Sequence, residues 1–309
     1  MQRRRFLQQS LAAGAGTLLS SSALAGTTAG NKKTTAEKPF QLNYAFHDGM
    51  FKNSAGPDFV DQIKWAHGMG FRAIEDNGMM GRSEAQQKKI GETLASLGMT
   101  MGVFVIDGGD NWKPSIATGK EEFKTRFVDT CRKAVDVAKR CNAKWMTVVP
   151  GFYERNLPMG LQTAHVLDAL RKGAAIFEPH GLIMVLEPLS DTPDLFLRYS
   201  DQTYMICKAV NSPSCKILFD MYHMQRNEGN IIKNMDACWD EIAYLQIGDN
   251  PGRNEPTTGE MNYKNIFKHV HGKGFKGVLG MEHGNAAPGK EGEQALIRAY
   301  RESDSFRIS

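Results

Sequence analysis

The 309-residue chain is 41% hydrophobic, 23% charged and 9% aromatic, proportions typical of a folded globular protein. This composition excludes an intrinsically disordered chain, a collagen and a small disulfide-stapled protein. The 38 basic and 34 acidic residues give a net charge of +4, of which Arg3, Arg4 and Arg5 supply three. A chain this close to neutral disfavours nucleic-acid binding, which depends on basic surfaces.

Residues 1–25 are predicted to be an export signal. They combine a basic start, a weakly apolar stretch from Leu11 to Leu24 and the small-residue cleavage motif Ala23-Leu24-Ala25. Arg3-Arg4-Arg5-Phe6-Leu7 resembles the twin-arginine motif, in which two arginines are followed by any residue, Phe and Leu. The protein is therefore predicted to be periplasmic or otherwise exported by the twin-arginine route. An ordinary Sec signal is the alternative.

The leader is too short and too broken by glycine to anchor the protein in a membrane, because a spanning helix needs roughly 20 apolar residues. Residues 26–39 are predicted to be a disordered spacer, since the stretch from Asn31 to Lys38 is polar and has no periodicity. Residues 40–309 are predicted to form one domain. The cysteines are odd in number and lack zinc-type spacing, which predicts buried free thiols: Cys131, Cys141, Cys207, Cys215 and Cys238.

From Phe40 onward, short apolar runs alternate with longer amphipathic ones. The short runs predict eight strands: Phe40–Phe46, Ala73–Glu75, Met101–Ile106, Trp145–Val149, Ile183–Glu187, Ile217–Asp220, Ile242–Ile247 and Val278–Glu282. The stretches between them have helical spacing, and glycines just before the next strand predict helix ends: Gly70, Gly98, Gly181 and Gly274.

Strand–helix alternation repeated about eight times is what a (β/α)8 barrel requires. The predicted fold class is therefore α/β, a single TIM barrel. A doubly wound open sheet is the structural alternative. That fold would normally have a Gly-rich phosphate-binding loop after the first strand, where this chain has Phe46-His47-Asp48-Gly49.

Polar side chains end the last four predicted strands: Glu187, Asp220, Gln246 and Glu282. The C-terminal ends of barrel strands form one face, on which TIM-barrel active sites are built. Oxygen ligands of this kind suit a hard or borderline divalent ion such as Mn²⁺, Mg²⁺ or Co²⁺. An ion would also relieve the repulsion between converging carboxylates. We therefore predict one metal ion here, although for any one residue alone a salt bridge or a capped loop is equally open.

His223 follows Asp220 by three residues, so the two side chains face the same way if a helical turn begins at the strand end. This spacing predicts that His223 binds substrate or supports the metal ligands. A core or surface histidine is the alternative. His47, Glu75 and Asp76 end the first two strands on the same face, but they are not predicted as ligands.

Arg253 lies in a long polar loop, residues 250–260, which proline and glycine punctuate. Such a loop is typical of a ligand-binding segment. Arg253 is predicted to bind a substrate carboxylate through its guanidinium fork. The alternative is a salt bridge with Glu255 or Glu260 that stabilises the loop.

Three segments resemble the hydroxypyruvate isomerase branch of the xylose-isomerase-like TIM barrels: 219–225, 246–256 and 259–263. The resemblance covers about residues 40 to 300. It implies that Glu187, Asp220, Gln246 and Glu282 bind the metal ion, and that the two glutamates also exchange protons with substrate. Thr257 stands where the branch usually has Gly.

The resemblance implies an enzyme, an intramolecular oxidoreductase of the aldose–ketose type. Its substrate would be a small hydroxy-carbonyl compound, either a hydroxypyruvate-like acid or a ketose. A divalent ion would stabilise an enediolate while two glutamates move protons. The same site suits a ketose 3-epimerase or a 3-keto-glycoside lyase, and the sequence leaves these alternatives and the oligomeric state open.

The sequence is less consistent with two other classes of protein. A metal-dependent endonuclease for damaged DNA would need histidines from several strands, whereas the seventh strand here offers Gln246. A non-catalytic carbohydrate-binding barrel would not need both Glu187 and Glu282 at a metal ion. The expected partner is therefore a small carbohydrate or hydroxy-keto acid, with no nucleic acid.

Overall fold

The computed structural model describes residues 37–307, which form a closed barrel of eight parallel strands in sequential order. The strands are β1 (Tyr44–His47), β2 (Ala73–Glu75), β3 (Thr100–Val105), β4 (Ala143–Val148), β5 (Ile183–Leu186), β6 (Cys215–Asp220), β7 (Ile242–Gln246) and β8 (Leu279–Gly280). The barrel closes where β8 pairs with β1, through Tyr44↔Leu279 and Ala45↔Gly280. The predicted (β/α)8 TIM barrel is confirmed.

Helices connect the strands and cover the outside of the barrel. They are α1 (Lys52–Ala55), α2 (Phe59–Gly68), α3 (Glu84–Leu97), α4 (Glu121–Cys141), α5 (Met159–Phe177), α6 (Ser200–Val210), α7 (Met221–Asn227), α8 (Ile231–Ala237), α9 (Tyr263–Gly272) and α10 (Gly289–Ser303). Within residues 37–307, no helix combines the length and the apolar character that crossing a bilayer requires.

All eight predicted strands are present, and the differences lie at their ends. β1 begins at Tyr44, four residues later than predicted, because its pairing with β2 starts only at Ala45↔Ala73. β8 ends at Gly280, so Glu282 lies in the loop that follows it. The four glycines predicted to end helices all have positive φ angles, between 63° and 99°, which glycine adopts at little cost.

Two apolar regions hold the barrel together. The larger lies between the sheet and the helices, and the smaller fills the barrel interior. The five cysteines are buried and unpaired, as predicted.

The start of the barrel is tied to its last helix by Asp304. The Asp304 carboxylate accepts hydrogen bonds from the backbone N–H of Gln41 at 2.7 Å and from the hydroxyl of Tyr44 at 2.9 Å. The predicted leader, residues 1–25, lies outside the described residues, as does most of the predicted spacer. Of the spacer only residues 37–39 are described, and the Glu37 N–H already donates to the carbonyl of Gly68 at 2.8 Å.

Candidate active site

A polar layer lies directly above the apolar barrel interior. The interior packs at least one residue from each strand or its edge: Ala45, Ala73, Val103, Trp145, Val185, Leu218, Tyr244 and Val278. Side chains alternate along a strand, so the residue two positions later points to the same side. Those residues are His47, Glu75, Val105, Thr147, Glu187, Asp220, Gln246 and Gly280. The change from apolar to polar thus occurs at the C-terminal face, where TIM-barrel active sites lie.

Glu187, Asp220, His223 and Glu282 converge at this face. One ligand atom from each lies within 4.8 Å of the others. Burial raises the pKa of Asp220 to about 6, and burial together with the charge of Asp220 raises the pKa of Glu282 to about 7. Burial and the charge of Glu282 also raise the pKa of Glu187 well above its ordinary value. The raised pKa values reflect the unfavourable free energy of placing several buried carboxylates close together. A bound cation would reduce this repulsion.

Four oxygens of the polar layer are buried and lack a hydrogen-bond partner among residues 37–307: Thr147 Oγ1, Glu187 Oε1, Asp220 Oδ2 and Gln246 Oε1. The last three belong to predicted metal ligands. Buried polar atoms in folded proteins nearly always have a partner. Carboxylate and amide oxygens are the donors that Mn²⁺ and Mg²⁺ prefer. The residues present therefore fit the divalent ion predicted from the sequence.

Gln246 reaches this face beside Asp220, its register partner on β6. Its Nε2 donates to Glu75 Oε1 at 2.5 Å. Tyr244, one layer below, donates from its hydroxyl to Glu75 Oε2 at 2.9 Å, and His47 Nε2 lies 3.3 Å from Glu75 Oε1. Glu75 thus accepts from both Gln246 and Tyr244, and His47 lies beside the oxygen that accepts from Gln246.

Glu282 is held from two sides. Asn77 Nδ2 donates to its Oε1 at 2.9 Å, and Arg253 Nη2 donates to its Oε2 at 2.8 Å. The same guanidinium lies 3.6 Å from Asp220 Oδ2 and packs over the ring of Tyr222 at 4.8 Å from its centre. Arg253 thus points into the site and pairs there, whereas the sequence had left open a salt bridge within its own loop.

His223 is fully buried at the start of α7, and Ser190 fixes its ring. The Ser190 N–H and hydroxyl lie 3.2 and 2.8 Å from Nδ1. The Nη2 of Arg253 lies 3.2 Å from Nε2, so both ring nitrogens face donor groups. Burial and the charge of Arg253 lower the pKa of His223 to about 4. The ring is therefore neutral near pH 7, and its Nε2 also lies 3.4 Å from Asp220 Oδ2.

A cavity of about 340 Å³ lies over the cluster. Most of its lining residues are polar: Asn77, Asp107, Asn111, Glu187, Asp191, His223, Arg253 and Glu282. Four are apolar: Val105, Trp112, Val149 and Leu189. Trp112 is 51% exposed. The cavity volume is at the lower end of the roughly 300–1,000 Å³ range of small-molecule sites.

Backbone pairing connects the loops that follow β3, β4 and β5, which carry apolar residues of the cavity. Phe152, after β4, pairs with Pro114 of the loop after β3 and with Leu195 of the loop after β5. The Phe152 N–H also donates to the carbonyl of Lys113, next to Trp112, at 2.8 Å. These backbone contacts hold the three loops together next to the cavity.

The loop that bears Arg253 is ordered from inside by Asp249. This buried carboxylate accepts from the N–H groups of Gly259 at 2.9 Å and Met261 at 3.1 Å. Arg253 and Thr257 both have positive φ angles, of 51° and 75°. The latter explains why glycine suits position 257 in the branch that the sequence resembles.

A model of the xylose isomerase-like TIM barrel family matches residues 63–303. The chain belongs to this family. Hydroxypyruvate isomerase of Escherichia coli (strain K12) is 29% identical over 237 residues, covering 73% of this chain and 88% of that protein. The 2-oxo-tetronate isomerase of Cupriavidus necator is 28% identical over 232 residues, covering 73% of this chain and 86% of that protein.

Among solved structures, the 3-keto-D-glucoside 4-epimerase of E. coli superposes with a TM-score of 0.71 and 14% identity. The match covers 86% of this chain and 100% of that one, and at this identity it shows the fold alone. The family resemblance seen in the sequence is confirmed, while the twin-arginine signal stays a prediction.

Sequence reasoning overlooked several residues of the site. Asn77 and Ser190 hold Glu282 and His223, and Trp112 lines the cavity. Asn77 ends the polar run Glu75-Asp76-Asn77 that directly follows a buried strand, which was the available signal. Asp76, the middle residue of that run, instead pairs with Arg82.

Proposed function

We propose that the protein is a divalent-metal-dependent isomerase of a small hydroxy-carbonyl substrate, either a hydroxypyruvate-like acid or a ketose. The observation that supports this most directly is the set of three buried, unpartnered oxygens beside a carboxylate cluster. The names of the two curated relatives, both isomerases, support the reaction class.

Glu187, Asp220, Gln246 and Glu282 would hold the ion. When bound, the ion supplies Lewis-acid polarisation of a carbonyl oxygen and offsets the charge that develops when a neighbouring C–H proton leaves. Among divalent ions we propose Mn²⁺, Mg²⁺ or Co²⁺, because the donors are oxygens.

Glu187 and Glu282 move the protons. One takes the proton from the carbon beside the substrate carbonyl, and the other returns a proton to the neighbouring carbon. Glu187 Oε1 has no partner in the described part of the chain and is free to accept. Asn77 and Arg253 orient Glu282. The unused donors of Arg253 would bind the oxygens of the substrate, and His223, which also lines the cavity, would contact the substrate beside them.

The test is hydrogen exchange in D₂O. Protein with Mn²⁺ is incubated with hydroxypyruvate and with several ketoses, and the C–H signals beside the carbonyl are followed by proton NMR. We expect metal-dependent loss of that signal, abolished by Glu282→Gln, with the product identifying the reaction. Glu293→Gln is the matched control, because Glu293 is a fully buried glutamate that binds Asn53 outside the cavity.

Absence of exchange with every substrate in the Mn²⁺-loaded wild type would contradict this function. It would favour the non-catalytic carbohydrate-binding barrel, which would retain sugar affinity in the Glu282→Gln variant.

A second candidate, a ketose 3-epimerase or a 3-keto-glycoside lyase, is favoured by one feature of the cavity. Its lining combines the exposed indole of Trp112 with many polar side chains. A sugar ring has an apolar C–H face and polar hydroxyls, so it suits such a mixed lining better than a three-carbon acid does. Epimerisation would need the returning proton to reach the opposite face of the same carbon.

Trp112→Ala separates these substrates. If the substrate is a sugar, KM for ketohexoses and 3-keto-glucosides rises while turnover of hydroxypyruvate is unchanged. Tyr199→Ala is the control, since Tyr199 is 41% exposed and does not line the cavity. Equal effects of Trp112→Ala on both substrate classes would contradict the sugar candidate.

We also propose that the protein works outside the cytoplasm, after export by the twin-arginine route. The leader motif Arg3-Arg4-Arg5-Phe6-Leu7 supports this proposal.

A further inference from the structure

We propose that Glu75 is a positioning residue, which fixes the side-chain amide of Gln246 with its oxygen toward the carboxylate cluster. The inference rests on the proposed function, because it concerns the residues that hold the divalent ion.

A glutamine amide has an oxygen end and an NH₂ end of nearly the same shape, and only the oxygen can bind a cation. In this protein Gln246 is 1% exposed, and its Nε2 donates to Glu75 Oε1 at 2.5 Å. An ionised carboxylate accepts hydrogen bonds and donates none. Glu75 therefore selects the NH₂ end of Gln246, which leaves the buried oxygen unpartnered on the other side.

Glu75 is itself fixed. It is fully buried, and its second oxygen accepts from the Tyr244 hydroxyl at 2.9 Å. Tyr244 is anchored in turn, because its hydroxyl oxygen accepts from the Val103 N–H at 3.3 Å. Both Glu75 oxygens are thus committed to donors from β7, and the carboxylate cannot turn away from Gln246 without breaking one of these bonds.

The barrel provides space for this arrangement at two glycines. A Cβ on Gly280, the register partner of Gln246 on β8, would overlap Glu75 Oε2. A Cβ on Gly102 would overlap the Tyr244 hydroxyl. Neither glycine has a positive φ angle, so space and not backbone conformation requires glycine at both positions.

Groups that orient a metal ligand from behind commonly change metal affinity by about 10–100-fold when they are replaced. Glu75→Gln should show such a loss. Tyr244 and Gln246 donate to different oxygens of Glu75, and an amide at position 75 places its oxygen at only one of these two positions. If that oxygen accepts from Tyr244, an NH₂ group faces Gln246, whose amide is then free to turn its own NH₂ group toward the ion.

The decisive experiment exchanges the two side chains. The double variant Glu75→Gln/Gln246→Glu keeps the total charge. Its new amide can accept from Tyr244 and donate to the new carboxylate, which retains one oxygen for the ion. Mn²⁺ affinity is measured by the loss of the free-ion signal in electron paramagnetic resonance, a readout independent of turnover.

We expect Glu75→Gln to lose about 10–100-fold in Mn²⁺ affinity, and Gln246→Glu to lose affinity because two carboxylates then meet. The double variant should recover most of the wild-type affinity. The matched control is Tyr44→Phe, which removes a buried tyrosine–carboxylate bond of the same 2.9 Å length at Asp304 and should leave Mn²⁺ affinity unchanged.

Unchanged affinity in Glu75→Gln, or a double variant no better than the single variants, would overturn the positioning role. If Glu75→Gln does not fold, the comparison of Gln246→Glu with the double variant decides in the same way. A wild-type protein that does not bind Mn²⁺ would overturn the proposed function and this role together, whereas equal binding by wild type and Glu75→Gln overturns the role alone.

Discussion

Glu282 depends on its neighbours more than the other acidic residues of the site. Its side chain is 20% exposed, and both oxygens accept hydrogen bonds, one from Asn77 and one from Arg253. Arg253 also contacts Asp220, whereas the side chain of Asn77 hydrogen-bonds only Glu282 among residues 37–307. Replacing Asn77 therefore tests how much the orientation of Glu282 contributes to activity, without changing any charge in the site.

Asn77→Ala should lower kcat/KM by roughly 10–30-fold, because a hydrogen bond to a charged group is worth about 1.5–3 kcal/mol and part of it is replaced by water. Steady-state kinetics on the substrate identified by the exchange experiment measures this effect. Asn285→Ala is the control, since Asn285 donates to the carbonyl of Met50 outside the cavity. A variant as active as wild type would show that Arg253 suffices to orient Glu282.

Binding of Mn²⁺ should release protons. In the ion-free protein the pKa values of Asp220 and Glu282 are raised to about 6 and about 7, so both carboxyls hold protons above their ordinary range. The ion binds these acidic groups only as carboxylates, so its affinity should increase as pH rises through 6 to 7, and further as Glu187, whose pKa is raised well above its ordinary value, loses its proton. Calorimetry in two buffers of different ionisation enthalpy counts the protons. His223, with a pKa of about 4, should contribute none.

At the scale of elements, the loop after β7 joins the site to the fold. Asp249 binds the N–H groups at its far end, and Arg253 projects from its middle toward Glu282. Thr257 in this loop is a β-branched residue with a φ of 75°. Such residues rarely adopt this conformation, because the side chain crowds the backbone.

Thr257→Gly should increase the free energy of unfolding by about 0.5–1 kcal/mol, since relief of this crowding exceeds the added entropy of the unfolded chain. Urea unfolding monitored by circular dichroism measures the change. Thr258→Gly is the neighbouring comparison. Thr258 has no positive φ and donates from its hydroxyl to the carbonyl of Glu255, so its replacement should destabilise the protein. A loss of stability in both variants would contradict the explanation.

The elements were predictable because their signals are local. Apolar runs and helix-ending glycines marked all eight strands, and strand ends identified Glu187, Asp220, Gln246 and Glu282. The contacts between strands were not predictable in this way. Asn77 and Glu282 are 205 positions apart, and Gln246 and Glu75 are 171 apart. No periodicity within one segment reports such a pair, because only barrel closure brings the two strands together.

At the scale of the whole molecule, the proposed twin-arginine leader would determine where the proposed chemistry takes place. Replacing Arg3 and Arg4 together by Lys should abolish export, because the twin-arginine route recognises this arginine pair. Cell fractionation and immunoblotting measure the exported fraction. Arg5→Lys is the matched control, since position 5 is the variable residue of the motif. Equal export of both variants would favour a Sec signal.

Closure of the barrel through β1 and β8 determines when the protein can finish folding during its synthesis. The first strand emerges from the ribosome long before its partner, so one of its edges stays unpaired while the other strands assemble. Glu282 follows β8, the last strand of the barrel. The proposed ion site is therefore incomplete in every nascent chain that lacks β8 and the loop after it, so loading with metal must await their release from the ribosome.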